Sequence, residues 1–312
     1  MASSTEKKKK KKKRRSQAPV ALVYFITLLV FLGVFGFVAS LIVDRLTDEE
    51  EEIVDYSDTY MDSYNTVYAR VNDSGVLSDL SLVRICPEQE RIIIVPLSAF
   101  MIDSSGTTLR EIYDEGGIIE LTEAVDGIFS ISTDYYVTVS NSAFEEIADI
   151  IGGFVYTPNE ELYKLSDNDE NDIALQEDVT VSLTGRQIRL LCQLDIFSNG
   201  HQGNLEFLGL ALTNLVNNAF DQSELTTSAI DIFYSKLTAN TSTNLTEADF
   251  KEQKVYLKDM LGNVENPAET LLPEGEWIDS THLEVSNEFK QTLYDLMEET
   301  KASENSESDS AE

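Results

Sequence analysis

The sequence has little of what many catalytic and metal-binding sites require. Its 312 residues include only two histidines and two cysteines. His201 and His282 stand apart without metal-ligand spacing, which argues against zinc chemistry. There is no Gly-x-Ser-x-Gly turn to present a nucleophilic serine, and no glycine-rich loop of the kinds that bind nucleotide phosphates. The sequence therefore argues against the commonest serine hydrolases, nucleotide-binding enzymes and zinc enzymes.

The two cysteines are too few to form a disulfide scaffold. Cys86 lies in an apolar, strand-like run, and Cys192 lies in a helix-like context. Both fit the usual role of free cysteine as a small buried hydrophobic residue. A single disulfide between them is also compatible with the sequence.

Basic residues are scarce outside one short segment. The chain has 56 acidic and 23 basic residues, a formal net charge of −33, and nine of the bases lie in Lys7–Arg15. So acidic a surface argues against nucleic acid as a partner, because phosphate binding needs clustered lysine and arginine. It would also repel an anionic polymer unless a metal ion intervened. Solubility outside the cell is the simplest interpretation of this charge.

One long apolar run interrupts the polar sequence. Ala18–Val43 contains no charged residue and exceeds the roughly 20 residues that cross a bilayer as a helix. Lysine and arginine beside a membrane span set its orientation, so Lys7–Arg15 is expected to be cytoplasmic. A cleaved signal peptide is the alternative, but its apolar region spans only about 7–15 residues. We therefore predict a single-pass cell-membrane protein whose main domain is extracytoplasmic.

Beyond this run, strand-like and helix-like segments alternate. Leu80–Ile85 and Arg91–Val95 are rich in β-branched residues and flank a polar turn, which predicts a hairpin. Glycine pairs at Gly116-Gly117 and Gly152-Gly153 predict helix ends, and Ser142 is a candidate N-cap for the second helix. The pattern predicts an α/β fold with a central mixed sheet and helices on both of its faces.

Composition also divides the chain into segments. After the membrane span we expect an acidic linker, a main domain, a small helical extension and a disordered acidic tail. The predicted boundaries are 1–17 (basic cytoplasmic tail), 18–43 (transmembrane helix), 44–66 (acidic juxtamembrane linker), 67–222 (main extracytoplasmic domain), 223–300 (helical C-terminal extension) and 301–312 (disordered tail).

Four local strings occur in a characteristic order: Leu109 to Gly117, Ile131 to Val139, Phe144 to Gly153, and Leu183-Thr184-Gly185. In order and spacing they resemble the core of the LytR-CpsA-Psr family of cell-envelope proteins, over about residues 67–222. That family transfers anionic glycopolymers from a polyprenyl-pyrophosphate carrier to peptidoglycan. The resemblance implies an LCP-like fold, and it implies arginines and an acid-bound Mg²⁺ that neutralise the pyrophosphate leaving group.

The sequence departs from the family at these charged positions. The family's Arg-Asp pair falls on Leu97-Ser98 or on Ala99-Phe100, and neither pair carries a charge. The later arginines of the family fall near Gln193 and Asp195. The family's first acidic position falls on Ser78, or on Asp79 if one residue is gapped.

A few charged residues remain as candidates for a site. Asp79 is the candidate metal ligand, and Mg²⁺ is the only cofactor considered; the competing interpretation is an ordinary acid at a strand edge. Arg84, Arg186 and Arg189 are candidate ligand-binding cations, and surface ion pairs or a solvated helix face are the competing interpretation. Apolar positions such as Phe144 and Ile147 fit a lipid pocket as well as an ordinary core, which is the default.

Three functions are compatible with these observations. The leading hypothesis is a membrane-anchored, non-catalytic relative that binds or scaffolds at the cell envelope, with a polyprenyl lipid, a cell-wall polymer or other envelope proteins as partners. The second is a divergent, active transferase that uses Asp79, a metal ion and the candidate arginines. The third is an unrelated extracytoplasmic structural or sensor module.

Overall fold

The computed structural model describes residues 62–165, 172–239 and 241–308, with side chains as far as Met297. The predicted basic tail at 1–17, the transmembrane helix at 18–43 and nearly all of the linker at 44–66 lie outside these residues. Strand β1 begins at Tyr64, inside the last residues assigned to the linker. In the part of the chain that is described, no helix combines the length and apolarity needed to cross a bilayer.

Strands and helices alternate through the described chain, as the sequence predicts. The strands are β1 (Tyr64–Val71), β2 (Leu77–Cys86), β3 (Arg91–Leu97), β4 (Tyr135–Ser140), β5 (Phe154–Tyr156), β6 (Leu162–Lys164), β7 (Ile173–Leu175), β8 (Val181–Leu183), β9 (Ala268–Thr270), β10 (Gly275–Asp279) and β11 (His282–Val285). The helices are α1 (Leu109–Phe129), α2 (Asn141–Ile151), α3 (Gly185–Gln193), α4 (His201–Asp221), α5 (Ser223–Thr238), α6 (Glu247–Asn263) and α7 (Asn287–Ser308).

A five-stranded mixed sheet with the order β4-β1-β2-β3-β9 organises the fold. Strand β2 pairs antiparallel with β1 and with β3, which confirms the predicted hairpin. The outer strands β4 and β9 pair parallel with β1 and β3. The remaining strands form two-stranded pairs: β5 with β8, β6 with β7, and β10 with β11. The central sheet is therefore mixed, as predicted.

Helices cover both faces of this sheet. Alternation along β3 sends Ile93 and Val95 to one face, where they pack in a core with residues of α1 and α7. Ile92 and Ile94 point to the other face and pack with Phe220 of α4 and with residues of α6. A third cluster joins α2, α3 and α4 on that second face. This arrangement confirms the predicted placement of helices on both faces.

Capping residues and glycines set the helix limits. Thr108 and Glu111 form a capping box at the start of α1. Gly117 has non-helical dihedrals (φ 72°, ψ −158°), so the predicted interruption is real, but the helix resumes immediately. Ser140, and not Ser142, caps α2, because its hydroxyl accepts from the Ala143 N–H at 3.2 Å. Helix α2 ends at Gly152, as predicted.

The segment after residue 222 is more than a helical extension. Strand β9 joins the central sheet beside β3, and Leu283 and Phe289 enter the core beneath α1. No local pattern predicts β9, because three residues are too short to show an alternation. Helix α7 continues to Ser308, into the segment predicted to be disordered, since lysine, alanine and glutamate there favour helix. The boundaries at 222 and 300 stay predictions.

Both cysteines are buried, and neither forms a disulfide. Cys86 ends β2 and Cys192 lies in α3. Each therefore occupies the interior as a small hydrophobic residue, as predicted, and the alternative of a disulfide between them is wrong.

Candidate functional site

A cleft of about 300 Å³ opens where β2 begins and β3 ends. These two places adjoin because the strands are antiparallel neighbours. The start of α1, the end of α3 and the first turns of α4 complete the walls. The lining side chains are mostly uncharged and include Ser78, Asp79, Leu97, Ser98, Phe100, Arg110, Gln193, His201 and Asn204.

A buried ion pair lies in the wall of the cleft. Arg70 of β1 stands directly opposite Asp79 of β2 in the antiparallel register. The Arg70 Nε donates to Asp79 Oδ1 at 3.2 Å, and Nη2 of Arg70 donates to the second carboxylate oxygen. The remaining guanidinium nitrogen, Nη1, donates to Oδ1 of Asn141. The arginine side chain is only 1% exposed and the aspartate side chain 7%. Both carboxylate oxygens of Asp79 are therefore engaged by an arginine on the neighbouring strand.

Burial dominates the electrostatics of this wall. It raises the pKa of Asp79, an effect that the Arg70 guanidinium opposes. Burial disfavours the charge on Arg70, but Asp79, through its charge and its hydrogen bonds, together with Cys192 and Tyr68, outweighs this and raises the pKa of Arg70. Burial also raises the pKa of the Cys192 thiol, with Asp79 adding to the effect. Since a thiolate is the reactive form of cysteine, this burial disfavours a nucleophilic role for Cys192.

The residues around Asp79 do not fit a magnesium ion. Both of its carboxylate oxygens accept from Arg70, a cation that would repel a divalent metal. Within the described part of the chain, no group of three or more histidine, cysteine, aspartate or glutamate side chains could hold a metal. The metal site that the family resemblance implied at Asp79 is therefore not supported by its surroundings.

The three candidate arginines lie away from the cleft lining. Arg84 is buried in β2, and its Nη1 donates to Asn65 Oδ1 at 3.1 Å. Arg186 is partly exposed on α3. Arg189 forms an ion pair with Glu145 and donates to Gln193 Oε1 at 2.9 Å. Asp79 lines the cleft, whereas none of these three arginines is among its described lining residues.

The positions at which the family carries its charges do face the cleft. Leu97 and Ser98 line it, and so do Ala99 and Phe100, the residues of the alternative alignment. Gln193, near which a later arginine was expected, also lines the cleft, and its Nε2 donates to Ser78 Oγ at 2.8 Å. The positions predicted for the family's Arg-Asp pair thus face the cleft and are uncharged in this chain, whereas Asp79, at the predicted acidic position, keeps its carboxylate there.

Two arginines at the cleft, Arg70 and Arg110, were not predicted from the sequence as site residues. Arg70 pairs with Asp79, and Arg110 lies in the cleft wall with its guanidinium carbon 4.7 Å from the Phe100 ring centroid. An arginine within the apolar strand 67–71 was a signal for the first. A cation in the first turn of a helix, where the helix dipole disfavours it, was a signal for the second.

A second, apolar cavity of about 370 Å³ lies between the sheet and the helices α2, α4, α5 and α6. Its lining includes Tyr68, Phe144, Ile147, Leu215, Phe233 and Leu257. Phe144 and Ile147 were sequence candidates for either core or lipid pocket, and both line the cavity. Leu121 and Val125 of α1, by contrast, pack in the core on the opposite face of the sheet.

The cleft and the apolar cavity have no lining residue in common among those described. The Arg70–Asp79 pair lies between them. Asp79 lines the cleft, and the Arg70 guanidinium carbon is 5.2 Å from the ring centroid of Phe144, which lines the cavity.

Comparisons with known proteins agree with this architecture. The model of the LytR_cpsA_psr family matches residues 91–307. No curated protein matches the sequence. Several solved structures share the fold. TagV from B. subtilis has a TM-score of 0.63 at 18% identity, covering 78% of this chain and 98% of that one. The protein gbs0355 from Streptococcus agalactiae has a TM-score of 0.63 at 13% identity, covering 77% and 88%.

TagT from B. subtilis has a TM-score of 0.56 at 13% identity, covering 78% of this chain and 92% of that one. A structure of TagT bound to LIIa-WTA has a TM-score of 0.58 at 13% identity, covering 77% and 91%. At these identities the likeness establishes the fold and leaves the chemistry to the residues of the site.

Proposed function

The chain belongs to the LytR-CpsA-Psr family, and from that premise we propose that it binds a polyprenyl-type lipid at the cell envelope without transferring a polymer. The family is one of extracytoplasmic cell-envelope proteins. The hypothesis of an unrelated structural or sensor module is wrong, because the family match spans most of the chain.

The apolar cavity is the observation that carries the proposal. Its described lining is aliphatic and aromatic except for Thr226, Gln253 and Lys254. The amine of Lys254 is engaged with Asp231, 2.9 Å away, so the positive charge has a partner. Apolar cavities of this kind stay dry and bind hydrocarbon, and each buried CH₂ group contributes about 0.8 kcal/mol. A flexible isoprenoid chain suits such a space.

The cleft supports the proposed loss of transfer activity. Displacing pyrophosphate concentrates negative charge, and removing one preorganised group that stabilises such charge typically costs about 2.7–4 kcal/mol. Here the positions of the family's Arg-Asp pair hold Leu97-Ser98 or Ala99-Phe100. Asp79 is committed to Arg70. Several such losses together would leave no useful turnover.

The N-terminal sequence supports the same setting. The uncharged run Ala18–Val43 and the preceding Lys7–Arg15 suit a single-pass anchor with the folded domain outside the cytoplasm. An anchored domain would meet a polyprenyl carrier at the membrane surface, and it could present that lipid to active relatives or to a cell-wall polymer.

Native mass spectrometry of the full-length protein in detergent tests the proposal, with a polyprenyl monophosphate as the probe. We expect the wild type to retain the lipid. Val216→Trp and Leu257→Trp each place an indole in the cavity, and each should reduce retention at least tenfold. Ile119→Trp is the matched control, because Ile119 is 56% exposed and does not line the cavity. Equal retention by the cavity variants and the control would contradict lipid binding at this place.

The divergent-transferase alternative has one supporting observation, namely that Asp79 lines the cleft. It would use Asp79 with Mg²⁺, and Arg84, Arg186 or Arg189 as cations. Transfer of a glycan phosphate from a polyprenyl-pyrophosphate-linked glycan to a peptidoglycan acceptor, with release of polyprenyl phosphate, would establish that alternative if it were lost on addition of a chelator and in Asp79→Asn. We expect no release.

A further inference from the structure

Arg110 is an unpaired cation in a strongly acidic protein. Although acids outnumber bases by 56 to 23, the described residues offer the Arg110 guanidinium no carboxylate within ion-pair distance and no hydrogen-bond acceptor. Its Nε is fully buried and has no partner. A ligand in the cleft cannot reach this buried Nε, so it would be held by the terminal Nη1 and Nη2 groups, for which the described residues supply no acceptor.

The electrostatics of the helix start do not explain Arg110. It lies in the first turn of α1, where the helix dipole disfavours a positive charge. The adjacent Glu111 does not pair with it. That carboxylate instead accepts from the Thr108 N–H at 2.9 Å and from the Thr108 hydroxyl at 2.8 Å. Neither the helix dipole nor an ion pair with Glu111 therefore accounts for a cation at position 110.

The fold holds Arg110 firmly at the cleft. Its N–H donates to the Ala99 carbonyl at 2.9 Å, which ties α1 to the segment after β3. The guanidinium stacks on Phe100, whose ring centroid is 4.5 Å from that of His201. His201 in turn lies 6.0 Å from Trp277. A row of three rings, namely Phe100, His201 and Trp277, therefore leads from Arg110 in the cleft to the single tryptophan.

The rest of the cleft offers neutral groups to a ligand. The charge of Asp79 is offset by Arg70. Ser78 and Ser98 contribute hydroxyls to the lining. Asn204 also lines the cleft, and it donates its amide hydrogens to the Leu191 and Leu194 carbonyls, at 2.9 and 2.8 Å. Arg110 is thus the one uncompensated full charge among the described lining residues.

We propose that the cleft binds its ligand through a carboxylate held by Arg110. A planar guanidinium with free N–H groups matches a carboxylate in a bidentate arrangement. One cation balances one negative charge, whereas a pyrophosphate would require several. A cleft of about 300 Å³ takes a group of the size of one sugar acid or one short peptide terminus. This inference goes beyond lipid binding and does not depend on it, since the two cavities use different residues.

Trp277 fluorescence in the full-length protein in detergent provides the test. The probes are glucuronate, glucose and glucose 6-phosphate, which share one ring, and N-acetylalanine, which represents a peptide carboxylate. We expect saturable changes with glucuronate, with N-acetylalanine or with both, which identifies the source of the carboxylate. Glucose should be inactive. Arg110→Gln should weaken binding at least tenfold, and Arg110→Lys should weaken it less.

Arg91→Gln is the matched control, because Arg91 pairs with Glu269 at the surface, does not line the cleft, and its loss should leave binding unchanged. Thermal unfolding checks that each variant folds, and saturation-transfer NMR of the probes detects any binding that leaves the fluorescence unchanged. The inference is overturned if glucose binds as well as glucuronate, if glucose 6-phosphate binds best, or if Arg110→Gln binds like the wild type. Lack of binding by every carboxylate probe in both measurements also overturns it.

Discussion

At the scale of single residues, Arg70 and Asp79 show how this chain uses a buried charge. Each stands on its own strand, and the antiparallel register brings the two side chains face to face. The Oδ1 of Asn141 accepts a hydrogen bond from Nη1, the guanidinium nitrogen of Arg70 that does not contact the carboxylate. A buried pair of this kind is weak evidence for net stability, because desolvation offsets attraction, but removing one partner leaves an unpaired charge in the interior.

We therefore expect Arg70→Met or Asp79→Leu to destabilise the protein by about 3–5 kcal/mol. The double variant should lose less than the sum of the two single losses, because no charge is then left alone. Urea unfolding measures these differences. Lys251→Met is the control, since it removes an exposed pair with Glu247 and should cost less than about 1 kcal/mol. Additive losses in the double variant would show that the two side chains act independently.

At the scale of elements, the two glycines after α2 allow a helix to be followed at once by a paired strand. Gly152 has φ +95° and ends the helix with its N–H on the Ala148 carbonyl. Gly153 has φ +64° and packs against Leu183 of β8, the strand that pairs with β5. Asn218 of α4 donates to the Gly153 carbonyl at 2.7 Å. This short connection places α2, β5 and α4 together.

The two glycines should tolerate alanine differently. A Cβ at Gly152 would meet nothing nearer than 4.0 Å, so Gly152→Ala should cost only the backbone strain of about 1 kcal/mol. A Cβ at Gly153 would lie 1.8 Å from the Leu183 carbonyl oxygen, so Gly153→Ala must also displace β8. We expect a loss at least twice as large, measured by urea unfolding. Equal losses would mean that β8 moves at little cost.

At the scale of the whole molecule, the charge balance shapes behaviour more than any one ion pair. The formal net charge of −33 produces self-repulsion that favours expanded states. Apolar cores between the sheet and the helices on each of its faces stabilise the folded state against this repulsion.

Salt should therefore stabilise the protein. Raising the ionic strength from about 0.01 M to about 0.15 M shortens the screening length from about 30 Å to about 8 Å. We expect the thermal midpoint to rise over this range and then to level off. Differential scanning calorimetry in sodium chloride checks this, with sucrose as an uncharged control. A midpoint that falls with salt would indicate that attractive ion pairs outweigh repulsion.

The amino-acid sequence by itself determined the hairpin, the glycine-bounded helices, the mixed α/β class and the family. These features depend on local signals, such as alternation of apolar residues and the conformational freedom of glycine, which are legible within a few residues. The uncharged residues at 97–100 are equally visible in the sequence, and they predict that the family's Arg-Asp pair is absent.

Only the tertiary structure decided what surrounds each candidate residue. It paired Asp79 with Arg70, placed Arg84 and Arg189 on other partners, and brought Arg110 to the cleft. It also separated an apolar cavity from ordinary core and added β9 to the sheet. These outcomes depend on strand register and on contacts between residues that are far apart in the chain. The local pattern of side chains encodes neither the register nor these contacts.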